Sequence, residues 1–144
     1  ARVKLLSSAF GDRLDHTVDI SFEFSWYIGL GWGLSRSIGT WFPLKLAVIL
    51  IAIMLSARGV SGLYRFLTGH QIHDHRAFDR AFRLVAGRRN IHMYVLLLGS
   101  AAGHLLAFFQ AVVIWAAVTL GVYGLRTLVV FTQRAIRYRF ATDD

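Results

Sequence analysis

Residues 91–125 contain no lysine, arginine, aspartate or glutamate, and the apolar character carries on past Arg126 to residue 130. A helix crosses the hydrocarbon layer of a bilayer with about 20 apolar residues. This stretch is therefore too long for one crossing and suits two, joined by a tight turn. His104 and Gln110 are polar interruptions inside it, and the turn is expected near them. Two earlier segments have the same character. Residues 18–34 include Phe22, Phe24, Trp26, Tyr27, Ile28 and Trp32, on a helix expected to begin near Ser8. Residues 41–63 have a dense apolar core over 46–55. The expected fold class is all-α, a polytopic transmembrane helix bundle with four spans in this chain.

Composition agrees with that class. The chain is 56% hydrophobic and only 17% charged, below the usual charged share of a soluble domain. Its net charge is +8. In a soluble protein such an excess would suggest nucleic acid. Here the basic residues flank apolar runs, which argues against nucleic acid and points to anionic lipid headgroups and phosphorylated substrates. The absence of cysteine excludes disulfides and thiolate metal sites.

Orientation follows from the placement of lysine and arginine. Arg2, Lys4 and Arg13 precede the first span. Arg65, Arg76, Arg80, Arg83, Arg88 and Arg89 lie between the second and third. Arg134, Arg137 and Arg139 follow the fourth. The opposite side holds only Arg36 and Lys45. With four spans the three basic regions share one face, expected to be cytoplasmic, with the C-terminus on it. The expected location is a cytoplasmic membrane of bacterial type. In the linker, Ala77, Phe78, Ala81, Phe82 and Val85 form an apolar stripe beside a basic one, which predicts an interfacial amphipathic helix over about 72–87, stopped by Gly87. Gly29, Gly31 and Gly33, and Gly99 with Gly103, offer small-residue faces for close helix packing.

Asp12, Asp15, Asp19 and Glu23 hold half of the chain's acids within a short segment at the start of the first span. Gly11, Asp15 and Asp19 stand at i, i+4 and i+8, which places them on one helical face. Acids at a membrane boundary are costly and mark functional sites. Two carboxylates on adjacent turns can hold a hard cation or divide the roles of ligand and base. The competing reading is a buried ion pair, with Arg2 or Arg13, that holds a non-catalytic bundle together.

Ala1, Arg2, Gly11, Asp15 and Asp19 resemble the second half of the signature of the CDP-alcohol phosphotransferase family. That signature runs Asp-x-x-Asp-Gly-x-x-Ala-Arg, eight residues, then Gly-x-x-x-Asp-x-x-x-Asp. Every fixed position from Ala-Arg onward is present at the family's spacing. The resemblance implies that residues 1–144 are the C-terminal part of a six-span domain, beginning inside its signature. It implies that Asp15 is a ligand of a two-metal centre holding Mg²⁺ or Mn²⁺. Asp19 would be the general base for the acceptor hydroxyl and a further metal ligand. Gly11 would admit the CDP moiety, Arg2 would lie near the nucleotide phosphates, and the remaining acidic ligands would lie upstream of Ala1. The implied reaction transfers a substituted phosphate from a CDP-alcohol, most commonly CDP-diacylglycerol in the family, to a hydroxyl acceptor. CMP is released, and the setting is phospholipid synthesis. A homodimer is common in the family. Ile20 departs from the Arg or Lys that many members carry after the last Asp, while His16 is similar to the aminoalcohol branch.

Other polar residues are weaker candidates. His70, His73 and His75 with Asp74 have the chemistry of a metal site, although solvated histidines in a basic linker are commoner. His92 and His104 are haem-ligand types in a membrane subunit, with polar packing as the plainer reading. Arg88, Arg89 and Asn90 read as a positive anchor or a phosphate contact. Trp26, Tyr27, Trp32 and Trp41 read as an interfacial aromatic belt, and Arg58 and Arg126 as snorkelling residues.

Overall fold

The computed structural model describes residues 9–70, 86 and 89–141. Of these, 92% are helical. In chain order the helices are α1 (Ala9–Ile38), α2 (Phe42–Thr68), α3 (Arg89–Ala101) and α4 (Leu105–Ala141), and no strand occurs among the described residues. The expected interfacial helix over 72–87 lies almost wholly outside them. The chain divides into two compact units, Ala1–Val48 and Ile49–Asp144, and α2 runs through the boundary.

Two helices, α2 and the Leu105–Arg134 part of α4, are long and apolar enough to cross a membrane. The other two expected spans differ from them. Helix α1 has 30 residues and ample length, but it is not apolar enough to join that class. Helix α3 has 13 residues. At 1.5 Å per residue it reaches about 20 Å, short of a ~30 Å hydrocarbon layer. The apolar stretch over 91–130 thus divides unequally.

In the first unit, α1 buries a single ridge. Glu23, Tyr27, Gly31 and Ser35, each four residues from the last, are buried. This is the i±4 row that helices use for packing. Gly31 is where α2 approaches: a Cβ there would lie 2.8 Å from Ala47 Cβ and 2.9 Å from the Pro43 carbonyl oxygen. Gly29 and Gly33 have open space around them instead. They lie two residues from Gly31, about 200° round the helix, so only one of the three expected packing glycines packs. Gly39 ends α1 at φ 76° and donates its N–H to the Ser35 carbonyl at 3.0 Å. This left-handed stop is one that glycine adopts without strain. The Ser35 hydroxyl accepts the Leu44 N–H at 3.0 Å and so caps the start of α2.

Helix α2 shows a 4-3 alternation of covered positions. Pro43, Ala47, Leu50 and Tyr64 are buried, and Met54, Ala57 and Ser61 between them are half-buried. Positions so spaced lie along one stripe of the helix. In the second unit α3 packs on α4. His92, Leu96 and Gly99 form the buried face of α3, and Phe109, Val112, Val113, Ala116, Thr119 and Thr127 that of α4. Gly99 meets Phe108: a Cβ would abut the Phe108 Cβ and lie 2.6 Å from its Cγ. The connection is a Schellman stop, with the His104 N–H on the Gly99 carbonyl at 2.8 Å and the Gly103 N–H on the Ser100 carbonyl at 3.1 Å. Gly103 serves this turn, at φ 72°, and not the packing face expected of it. The turn falls beside His104, as expected.

Candidate functional site

The acid face is built on a continuous helix. Because α1 is already helical at Ala9, Gly11, Asp15 and Asp19 occupy successive turns of one ridge, each about 6 Å further along the axis. Gly11, Asp15 and Asp19 are all exposed. One turn further, Glu23 is 4% exposed. The ridge therefore changes character between Asp19 and Glu23, from an accessible row of carboxylates to a packed row of Glu23, Tyr27, Gly31 and Ser35. Around the acids the helix also exposes Phe10, Leu14, Val18 and Phe22. Thr17 turns its hydroxyl inward and donates to the Arg13 carbonyl at 2.8 Å, so it adds no side-chain donor to the face.

As a donor set, Asp15 and Asp19 suit a hard divalent cation in chemistry and spacing, but two carboxylates supply only part of its coordination. No group of three or more His, Asp or Glu that could hold a metal occurs among the described residues. Arg2, assigned by resemblance to the nucleotide phosphates, lies outside the described residues.

The histidines separate. His70 is exposed just past α2, and its backbone is engaged there: its N–H donates to Thr68 Oγ1 at 3.2 Å, and that hydroxyl donates to the Tyr64 carbonyl at 2.8 Å. His73, Asp74 and His75 lie outside the described residues. His92 is buried at the start of α3, while His104 is exposed in the turn beyond its end. The nine residues from His92 to Ala101 rise about 14 Å, so the two histidines stand at opposite ends of α3. Arg58 and Arg126 are half-buried.

The expected aromatic belt also divides. Tyr27 is fully buried and stacks edge-on against Trp26 at 5.3 Å, so it belongs to the core. Trp32 and Trp41 are exposed, pair edge to face at 5.8 Å, and frame a groove at the α1–α2 turn. Sequence reading missed this groove. Its signal was present in the Trp32/Arg36 spacing of i, i+4 and in the helix-stopping Gly39.

In comparisons with known proteins, no family model, no curated protein and no solved structure matches this chain.

Proposed function

We propose that this chain carries part of the active site of an integral membrane CDP-alcohol phosphotransferase. The supporting observation is the helical register of Gly11, Asp15 and Asp19. A signature spaced at four and eight residues makes a site only on unbroken helix, and α1 is unbroken from Ala9 to Ile38. Both carboxylates are exposed, as ligands for an incoming ion and substrate must be.

In this reading Asp15 and Asp19 contribute oxygen ligands, with further acids supplied by residues ahead of Ala1. Divalent ions bound there would neutralise charge on the diphosphate. Asp19 takes the proton of the acceptor hydroxyl as its oxygen bonds to phosphorus and the bond to CMP breaks. Gly11, one turn before Asp15 and without a side chain, leaves room for the nucleotide beside the carboxylates. Helix α1 and the α3–α4 hairpin join α2 in the membrane as four segments of a six-span bundle, with the acid face and C-terminus cytoplasmic. CDP-diacylglycerol is the donor of choice, a hydroxyl compound the acceptor, phospholipid synthesis the setting, and a homodimer the assembly.

The test is CMP release by the full-length protein in native membranes supplied with CDP-diacylglycerol and a set of hydroxyl acceptors. Release should need Mg²⁺ or Mn²⁺ and stop with chelator. Asp19→Asn should lower it by about 10²–10⁴-fold, the range for loss of a general base, while CDP-alcohol binding persists. Wild-type turnover by Asp19→Asn removes Asp19 from the base role. Metal-independent turnover sinks the two-metal assignment.

Glu23 favours the second reading for itself alone. Buried within a packing ridge, it serves cohesion of the bundle, as in a non-catalytic membrane subunit.

A further inference from the structure

At the α1–α2 turn lies a groove of about 240 Å³ formed by Trp32, Ser35, Arg36, Gly39, Thr40 and Trp41. We propose that it binds a phosphate-bearing anion, and that the anion is the headgroup of an acidic phospholipid. The inference is independent of the phosphotransfer reading and needs only that α2 crosses a membrane.

Three observations support it. First, the cation is held and exposed. The Arg36 Cζ lies 5.7 Å from the centre of the Trp32 ring. A guanidinium held by an aromatic ring keeps N–H donors for a second partner, and its planar fork matches phosphate oxygens. Arg36 and Lys45 are both exposed, and no acidic residue stands between Glu23 and Asp74 to neutralise them locally. The N-terminus of α2 adds its partial positive charge on the same side. Second, the walls are set before any ligand arrives. The Ser35 hydroxyl ties α1 to the Leu44 N–H at 3.0 Å, the Gly39 N–H closes on the Ser35 carbonyl at 3.0 Å, and the two indoles brace each other at 5.8 Å.

Third, the depth is right for a lipid. The apolar run of α2 begins at Phe42, directly after the groove. Exposed Trp32 and Trp41 have the amphipathic rings that settle at headgroup level. Along α1, Arg36 lies about 30 Å from Asp15 by helical rise, roughly one hydrocarbon thickness. The two sites are therefore too far apart for an anion in the groove to be a substrate of the acids.

The experiment uses the full-length protein in dodecyl maltoside micelles and follows tryptophan emission. It is titrated with dioctanoyl phosphatidylglycerol, with dioctanoylglycerol (matching tails and no phosphate) and with inorganic phosphate. Phosphatidylglycerol should give a saturable change, and dioctanoylglycerol none. Arg36→Gln should weaken the phosphatidylglycerol response at least tenfold, as expected for loss of a charge-assisted bond. Should that variant lose its helical circular dichroism, Arg36→Lys and Lys45→Gln take its place, each expected to weaken binding severalfold. Competition by inorganic phosphate at the lipid's own concentration keeps the anion site but overturns the lipid as its source. An equal response to dioctanoylglycerol, or unchanged affinity in the Arg36 and Lys45 variants, overturns the site.

Discussion

Asp19 and Glu23 stand one turn apart on α1, yet the first is exposed and the second is buried. Spacing alone put Asp15, Asp19 and Glu23 on one face, and that much was legible. The division between accessible and packed acids was not, because it depends on where a neighbouring element begins to cover the ridge. The same ridge gives a sharp contrast among glycines. Gly31→Ala would drive a methyl group against Ala47 and the Pro43 carbonyl, and should cost about 1–3 kcal/mol, the range for overpacking. Gly33→Ala meets nothing within 4 Å and should be neutral, or stabilising by up to about 1 kcal/mol, because alanine is the better helix former. Thermal unfolding of both variants in detergent distinguishes them. Equal midpoints would show that α1 and α2 are not in contact at Gly31.

At the level of elements, helix ends were legible where glycine makes them and obscure where a distant residue does. Gly39 and Gly103 have left-handed φ values at the ends of α1 and α3, and a glycine after an apolar run is a readable stop. The start of α2 carries no comparable local sign. Its cap position falls on Trp41, whose side chain cannot accept the N–H groups of the first turn. Ser35, from the preceding helix, accepts the Leu44 N–H instead, and a cap from nine residues away leaves no local pattern. Ser35→Ala should cost about 1 kcal/mol. The loss should show as a lower unfolding midpoint together with loosening of the Trp32–Trp41 pair, read as a shift in tryptophan emission. An unshifted spectrum and midpoint would show that the turn holds without this bond. In the second unit the turn beside His104 was expected, but the unequal lengths of α3 and α4 were not. Hydropathy counts apolar residues across a turn as readily as along a helix.

For the whole molecule, the all-α class and two membrane-length helices were readable from hydropathy alone. The coarse picture stands on α2 and α4. Its orientation can be tested directly because residues 1–144 contain no cysteine. Thr40→Cys and His70→Cys are exposed positions on either side of α2. In the proposed orientation a membrane-impermeant maleimide added to intact cells labels position 40, and position 70 reacts only after the cells are opened. Labelling of both from the same side would mean that α2 does not cross.

The α3–α4 turn has one more consequence. If Arg89 rests at the headgroups, a helix of 13 residues brings its tip only about two-thirds of the way through the apolar layer. A chain reversal at that depth is ordinarily forbidden, because carbonyl and amide groups have no water to turn to. Here the reversal supplies its own partners: Ala102, Gly103 and His104 each return an N–H to a carbonyl of α3. The hairpin thus meets part of that demand itself, while the exposed His104 side chain still calls for a polar neighbour or water at the tip. With the turn at that depth, the far third of the membrane beyond the hairpin is left to lipid tails or to another helix.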